Sequence, residues 1–230
     1  IAPFSAVSQS LQKLLLEKGP QAPADFPNGY PYCARIIGAE GDKIQPTTPS
    51  LCWAKEGLHI KILETQRLLL QPWNIENIDD FHELLQNPVC IIGGWKPSLD
   101  KQESLHTLKS YIEDDDRWAI VLKEHKKAIG FIRLFPDNNR GQYDAKMINY
   151  LLNENYWNNG YMTEAVKCVV KYAFEELNID LLSAFCVPQN IRSKSVLEKS
   201  GFQYEWTIEN GYKRYDGETY DAVIYSIFKC

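Results

Sequence analysis

Methionine and histidine are scarce in this chain, and a long apolar run is missing. Only 2 of the 230 residues are Met and 4 are His. The histidines are scattered and never stand at the spacing of zinc ligands, so we expect no metal site. No segment contains the roughly 20 consecutive apolar residues that a membrane-spanning helix requires, so we expect no membrane span.

The cysteines show no pairing pattern. None forms a Cys-x-x-Cys pair, and the six lie far apart, at positions 33, 52, 90, 168, 186 and 230. Cys168 and Cys186 fall within apolar helix and strand patterns, which predicts reduced, buried thiols. A disulfide between Cys33 and Cys52 is the alternative for that pair. The sequence as a whole favours a reduced, cytoplasmic protein.

Basic residues are outnumbered by acidic ones. The chain has 25 Lys and Arg against 30 Asp and Glu, a net charge of -5. This balance argues against general affinity for nucleic acid or for an anionic membrane surface. Hydrophobic residues make up 44% and aromatic residues 12%. That content suffices for the core of one medium domain, or of one domain with an appendage.

Composition changes near residue 60, which suggests two parts. Seven of the 12 prolines precede this point, and turn signals dominate residues 19–57. The same stretch contains Tyr30, Tyr32 and Trp53, apolar groups that a free disordered tail rarely carries. We therefore expect an N-terminal extension, residues 1–60, packed on a main domain, residues 61–230. A scaffold role, in which the extension recruits a partner, is the alternative.

The residue pattern becomes regular from Leu58 onward. Apolar stretches predict strands at 63–70, 118–122, 128–135, 146–152, 181–187, 202–207 and 222–228. Helical spacing predicts helices at 75–86, 99–113 and 192–200, and a long helix through the apolar stripe of residues 166–177. This order is mixed α/β, with an antiparallel meander followed by a right-handed strand–helix–strand crossover.

A first chemical cluster lies where the strand at 146–152 runs through a short polar turn into the long helix. The first turn of such a helix leaves main-chain N–H groups without internal partners, and the helix dipole adds positive potential. Gly160 has no Cβ, so the main chain can approach a bulky anion closely. The junction therefore predicts a phosphate site. An ordinary loop with a glycine turn is the alternative, and no P-loop lysine follows.

A second cluster covers residues 187–202. Asn190 stands where it would cap the helix at 192–200, and this purely structural role is one interpretation of it. Ser193 follows three residues later, and the helix ends with Leu197-Glu-Lys-Ser-Gly-Phe202.

Taken together, the two clusters resemble the GNAT acyltransferase superfamily, most closely its branch of ribosomal-protein-type N-acetyltransferases. The first is similar to that family's Arg/Gln-x-x-Gly-x-Gly/Ala pyrophosphate loop. The second is similar to its Asn-x-x-Ser-x-x-hydrophobic-Leu-Glu-Lys-x-Gly-Phe signature. The resemblance covers Leu63 to Lys229. It implies a mixed, largely antiparallel central sheet flanked by helices, with strands that splay apart at the cofactor site.

The resemblance also implies acetyl-CoA as the cofactor. Its pyrophosphate would be held by the loop that includes Trp157 and by main-chain N–H groups of Asn158, Asn159, Gly160, Tyr161, Met162 and Thr163. The pantetheine arm would pair with Leu151 and Leu152 like an added strand. Asn190 and Ser193 would face this arm or the thioester, where they are catalytic candidates, and Lys199 would approach the nucleotide phosphates.

Four positions depart from the family pattern. Trp157 replaces the usual Arg or Gln, and Met162 replaces a small residue, which is expected to crowd the loop. Leu197 stands where many relatives have a Tyr that protonates the leaving thiolate. Met147 occupies a position where this branch often has a catalytic Glu. The resemblance therefore identifies neither the general acid nor the general base.

The general base has several candidates, namely Asp144, Glu154 and His106, each of which could equally be a surface residue. An amine that loses its proton to solvent is a further alternative. Trp95, Tyr212 and Tyr215 are expected to border the acceptor site, by analogy with the family's loops. Aromatic packing against the N-terminal segment is the other interpretation of these three residues.

We therefore expect an N-acetyltransferase that moves an acetyl group from acetyl-CoA to a primary amine by direct attack in a ternary complex. The acceptor would be a protein N-terminus or a small-molecule amine. An acidic chain favours a cationic acceptor such as a peptide N-terminus, a polyamine or an aminoglycoside, and charge alone does not decide among these. The protein would be a monomer or a homodimer. The alternative, motivated by the missing Tyr and Glu, is a non-catalytic acyl-CoA-binding or regulatory domain.

Overall fold

A computed structural model describes residues 60–114 and 116–229 of the chain. The predictions for the N-terminal extension and for Cys33 and Cys52 lie outside these residues. No helix in the described ranges is long and apolar enough to cross a membrane.

The strands of the described residues form one open sheet. Its strands are β1 (Leu63–Glu64), β2 (Leu68–Pro72), β3 (Arg117–Leu122), β4 (Lys127–Pro136), β5 (Ala145–Leu152), β6 (Leu181–Cys186), β7 (Gln203–Lys213) and β8 (Thr219–Phe228). Their spatial order is β1-β2-β3-β4-β5-β6-β8-β7. Neighbours run antiparallel except β5 and β6, which are parallel. The predicted mixed and largely antiparallel sheet is therefore confirmed.

Helices cover both faces of this sheet. They are α1 (Ile78–Gln86), α2 (Val89–Gly93), α3 (Lys101–Asp114), α4 (Tyr161–Glu175) and α5 (Ile191–Lys199), with 3₁₀ turns at Ile75–Asn77 and Glu154–Tyr156. Apolar side chains of α4 and α5 join one core cluster, and those of α1, α2 and α3 join a second cluster on the opposite face. The result is a layer of strands between two layers of helices.

Helix α4 shows why the sequence folds this way. Its buried side chains Val166, Val169 and Ala173 recur at a spacing of three or four residues, so they form one stripe against the sheet. The carboxyl end of α5 carries Gly201 with a φ of +95°, a left-handed conformation that fits its predicted place after the helix.

The first predicted strand, residues 63–70, is wrong in one respect, because a turn divides it into β1 and β2. The Thr65 main-chain N–H donates to the Leu68 carbonyl at 3.0 Å and closes this turn. Thr65 and Arg67 also bind the carboxylate of Glu164 on α4. The turn thus depends on a contact about one hundred residues along the chain, which local patterns do not reveal. The short helix α2 was also not predicted.

Strands β5 and β6 separate after three residue pairs. Their pairing starts at Ala145 with Leu181 and ends at Met147 with Ser183. Beyond this point, within the described residues, β5 keeps only β4 as its neighbour, and β6 keeps only β8. The predicted splay is confirmed, and it leaves an open wedge beside residues 148–152.

Gly130 allows β4 to lie against this part of β5. A Cβ atom at Gly130 would stand 2.3 Å from the Leu151 carbonyl oxygen and 3.0 Å from the Leu152 Cα. Both contacts are with main chain, which cannot rotate away as a flexible side chain would.

We predict that Gly130→Ala lowers the free energy of unfolding by about 1–3 kcal/mol, because the added methyl group overpacks the β4–β5 contact. Urea denaturation measures this change. Gly141→Ala is the matched control, since no atom of the described residues, apart from Gly141 itself and its two chain neighbours, lies within 4 Å of the added Cβ. Equal stability of the two variants would contradict the proposed close contact.

Candidate active site

The open edge of β5 presents main-chain groups to the wedge between β5 and β6. The Asn153 N–H donates to the Ile129 carbonyl on the β4 side at 2.9 Å. Because successive residues of a strand direct their N–H groups to opposite edges, Tyr150 and Leu152 direct theirs toward the wedge. Leu151, which we expected to share this role, turns its main-chain groups toward β4 instead.

The loop after β5 is fixed by its own side chains. The Trp157 indole Nε1 donates to the Leu152 carbonyl at 3.0 Å, and the Asn159 amide donates to the Trp157 carbonyl at 2.9 Å. Asn158 and Gly160 have φ angles of 63° and 78°, both in the left-handed region. Trp157 therefore replaces the family's Arg or Gln by tying the loop to the strand end.

The main-chain N–H groups of residues 158–163 point out of this loop and of the first turn of α4. None of them donates a hydrogen bond to any residue that the structure describes. Gly160 forms the N-cap of α4 and supplies no capping side chain. Free donors together with the positive end of a helix dipole fit a phosphate group.

Two guanidinium groups flank these donors. The Arg67 Nη1 donates to the Asn159 carbonyl at 2.9 Å, and its guanidinium lies 4.5 Å from the centre of the Tyr161 ring. Arg192, in the first turn of α5, lies 4.5 Å from the centre of the Trp157 ring. Neither residue was predicted from the sequence. The position of Arg192 two residues after Asn190 could have indicated its location.

Glu164 orients Arg67. Its carboxylate accepts hydrogen bonds from the Thr65 hydroxyl at 2.6 Å and from the Arg67 Nε at 2.8 Å. Burial alone would raise the pKa of this carboxyl, but the bonds from Thr65 and Arg67 lower the pKa below its ordinary value. The Arg67 guanidinium is therefore held beside the loop while 42% of its side chain remains exposed.

Met162 does not crowd the loop, contrary to the expectation from its size. Its side chain is 5% exposed and belongs to the core cluster beneath α4. A residue in the first helical turn can point inward while its main-chain N–H points outward, so a large side chain here is compatible with anion binding.

Asn190 caps α5, as its position predicted. Its Oδ1 accepts a hydrogen bond from the Ser193 main-chain N–H at 3.1 Å. Ser193 in turn contacts Tyr150 of β5. The Tyr150 hydroxyl lies 3.0 Å from the Ser193 Oγ and 3.2 Å from the Ser193 carbonyl oxygen.

Tyr150 places a phenol beside α5, one helical turn before the position at which the family resemblance implies a Tyr. Leu197, which occupies that position, is fully buried in the core. Ser193 lies one turn earlier on the same face of α5, about 6 Å along the helix axis. Burial raises the pKa of the Tyr150 phenol well above its ordinary value, so the hydroxyl keeps its proton.

A cavity of about 310 Å³ lies beside the end of β6. Its walls include Ile91 and Ile92 of α2, Val187, Gln189 and Asn190 of the segment after β6, Tyr212 of β7, Arg214 and Tyr220. The predicted Tyr212 is thus a lining residue, and its hydroxyl donates to the Gly94 carbonyl at 3.2 Å.

Sequence comparison decides the family. Residues 67–203 match the profile described as the acetyltransferase (GNAT) domain. The chain belongs to the GNAT acetyltransferase family. Membership makes it an acetyl-CoA-dependent N-acyltransferase.

Relatives of this GNAT domain agree with the assignment. An N-acetyltransferase of Bacillus licheniformis named p20 is 26% identical, over 74% of this chain and 97% of the relative. The alanine N-acetyltransferase of ribosomal protein uS5 from Escherichia coli is 25% identical, over 69% of this chain and 74% of the relative. The crystal structure of a GNAT-family acetyltransferase from Bacillus anthracis superposes with a TM-score of 0.66 at 20% identity, covering 74% of this chain and 99% of that one.

The GNAT domain does not bring every predicted residue to the wedge. Asp144 immediately precedes β5, roughly 25 Å along the strand from Leu152 at about 3.3 Å per residue. His106 is exposed on α3, and Lys199 is exposed in the last turn of α5, about 12 Å along its axis from Ile191. Glu154 is exposed two residues after β5, near the open end of the wedge.

The predicted acceptor-site aromatics separate into two groups. Trp95 packs edge-on against Phe131, with ring centres 5.3 Å apart, and does not line the cavity. Tyr215 is 43% exposed beside Arg214, outside the cavity wall. Tyr220 and Arg214 line the cavity instead, and both were missed because the β7–β8 hairpin extends further than its apolar pattern predicted.

We predict that Met162→Ala costs about 2–5 kcal/mol of folding free energy and leaves the affinity for CoA unchanged, because the side chain fills the core rather than the loop. Urea denaturation and isothermal titration calorimetry measure the two quantities. Lys167→Ala, at an exposed position of the same helix, is the control. Tighter CoA binding without loss of stability would show that Met162 obstructs the loop.

Proposed function

We propose that this chain transfers an acetyl group from acetyl-CoA to a primary amine, by direct attack in a ternary complex. One observation carries the proposal. Among the described residues, the main-chain N–H groups of Tyr150 and Leu152 on the open edge of β5 have no partner, and neither do those of residues 158–163 in the loop and helix that follow. A strand-like arm and a diphosphate joined to it would satisfy both sets of donors at once.

The residues present fit acetyl-CoA. The loop N–H groups, with Arg67 and Arg192 on either side, would hold the diphosphate. The main chain of Tyr150 and Leu152 would pair with the pantetheine arm as an additional strand would. When bound, the cofactor supplies an acetyl group activated as a thioester.

The same strand edge supports oxyanion stabilisation. A main-chain N–H facing the wedge can donate to the developing negative charge on the acyl oxygen, an effect worth about 3 kcal/mol for one well-placed donor. The Leu152 carbonyl is already bound by Trp157. This bond holds the end of the strand in place and so fixes the direction of the Leu152 N–H, which faces the wedge.

Tyr150 is our candidate for the proton donor. Acetyl transfer forms a C–N bond and breaks a C–S bond, so the departing sulfur requires a proton and the amine must lose one. The Tyr150 hydroxyl lies 3.0 Å from the Ser193 Oγ at the start of α5, and a phenol is protonated at neutral pH. Its contact with the Ser193 hydroxyl gives a path for reprotonation.

Direct attack is favoured over a covalent acyl-enzyme. Cys186, at the end of β6, lies on the wedge side of the site, and burial raises its pKa to about 11. At neutral pH it is a thiol, which is a poor nucleophile. No other cysteine in the described ranges lies on β5, β6 or the loop after β5.

The base is solvent or Glu154. The residues that line the cavity include no carboxylate and no imidazole within the described part of the chain. An amine oriented in this cavity would therefore lose its proton to water, or to Glu154 at the open end of the wedge. A peptide N-terminus is one acceptor to test, because the uS5 relative acts on the alanine of a ribosomal protein.

We predict that saturating acetyl-CoA raises the melting temperature by about 5–10 °C, since ligand at 100 times its Kd adds about 2.7 kcal/mol of stability. The amides of residues 156–163 should also become protected from hydrogen exchange.

Arg192→Gln and Lys199→Gln each remove one positive charge from α5. Only the former should weaken CoA binding, by about 3- to 10-fold. If acetyl-CoA neither stabilises the wild type nor protects the amides of residues 156–163, the proposed function is overturned.

We predict that Tyr150→Phe lowers kcat about 100-fold, because it removes the proposed proton donor, while the Kd for CoA stays within about twofold. Stopped-flow thiol detection and calorimetry measure these quantities. Tyr204→Phe is the control, since this exposed tyrosine lies on β7 away from the wedge. An unchanged kcat would exclude Tyr150 as the donor. CoA binding without thiol release from any amine would favour a non-catalytic acyl-CoA-binding domain.

A further inference from the structure

The cavity beside β6 differs in charge from the protein that contains it. The chain carries a net charge of -5. The cavity wall, in contrast, combines apolar side chains such as Ile91 and Ile92, the rings of Tyr212 and Tyr220, and the guanidinium of Arg214. A second ammonium group on an acceptor would find no carboxylate among the described lining residues. The wall thus favours an acceptor that is apolar with one anionic group.

Arg214 is held rigidly at this wall. Its Nε lies 3.0 Å from both carboxylate oxygens of Asp216, and its Nη2 lies 2.6 Å from one of them. The guanidinium also lies 5.0 Å from the centre of the Tyr220 ring. The Arg214 main-chain N–H donates to the Glu218 carbonyl at 2.8 Å. Only 18% of the side chain is exposed, so its orientation is fixed before a ligand arrives.

Part of the Arg214 guanidinium remains available. Asp216 engages the Nε side and one N–H of Nη2. Both N–H groups of Nη1 and the second N–H of Nη2 donate to no residue in the described ranges. A planar pair of donors on an oriented guanidinium matches the two oxygens of a carboxylate.

We infer that the acceptor is an amino-carboxylate: a molecule whose primary amine is acetylated while its carboxylate binds Arg214 and its apolar part contacts Ile91, Ile92 and Tyr220. The inference rests on the proposed acetyl transfer and specifies its substrate class. It replaces the expectation that an acidic chain favours cationic acceptors, because the described lining residues present guanidinium donors and no carboxylate.

The test uses a matched set of acceptors: phenylalanine, phenylalanine amide and phenethylamine, with spermidine as a polycation. Initial rates of CoA release, corrected for the fraction of each amine that is unprotonated, give kcat/KM. We expect phenylalanine to exceed the amide and phenethylamine by about 10- to 100-fold, as a charge-assisted hydrogen-bonded pair predicts. The dipeptide amides Phe-Asp and Phe-Asn show whether a peptide side chain can supply the carboxylate instead of a free amino acid.

Arg214→Gln should remove this preference by lowering kcat/KM for phenylalanine while the value for phenethylamine stays within about twofold. Lys213→Gln is the matched control, because it removes a positive charge from the adjacent exposed residue. Arg214→Lys keeps the charge without the planar donors and should restore the preference only in part. An unchanged melting-temperature shift with acetyl-CoA shows that each variant is folded.

A binding measurement keeps the inference separate from turnover. Calorimetry with CoA present compares N-acetylphenylalanine with its amide, and only the acid should bind in a way that Arg214→Gln abolishes. If spermidine or phenethylamine is the better acceptor, the inference fails while the proposed function stands. If no amine releases CoA, the proposed function fails. Arg214-dependent binding of the acid would then still support the site, and equal binding of acid and amide would overturn it.

Discussion

The site depends on a strand that loses one of its two neighbours within the sheet. β6 pairs with β5 for three residues and then follows β8 alone. Main-chain donors and acceptors inside a protein must find partners, so an edge at this depth is stable only if something else occupies it. Beside this edge, the Tyr150 hydroxyl lies 3.0 Å from the Ser193 Oγ and so connects β5 to α5. The domain therefore contains a free edge of β5, with which an extended ligand can pair as a further strand would.

The loop that follows β5 is flanked by positive charge, although the chain as a whole is negatively charged. Arg67 and Arg192 face the free N–H groups of the loop, although acidic residues outnumber basic ones overall. Glu164 partly neutralises Arg67 but also fixes its direction, so the guanidinium acts through geometry as much as through charge. Asp216 has the same relation to Arg214. In both places a carboxylate behind the guanidinium orients the donors toward the space in front.

The sequence predicts the parts of the site that are local and misses those that join distant segments. The loop around Gly160, the Asn190 cap and the splay follow from turn chemistry, capping and the family resemblance. Such patterns cannot predict the role of Arg67, because its contacts with α4 join residues that lie about a hundred positions apart in the sequence. The same applies to Tyr150, which reads as an ordinary strand residue until α5 packs beside it. Size was misleading at Met162, since only the helix phase decides which way a side chain points.

The pairing of Arg214 with Asp216 has a kinetic consequence. A guanidinium that already carries a counter-charge projects little field beyond a few ångströms, so it cannot draw an anion from solution. Selection of the acceptor would then arise from residence time rather than from the frequency of encounters. Ionic strength, which alters the association rates of electrostatically steered enzymes, would leave this enzyme's discrimination among acceptors almost untouched.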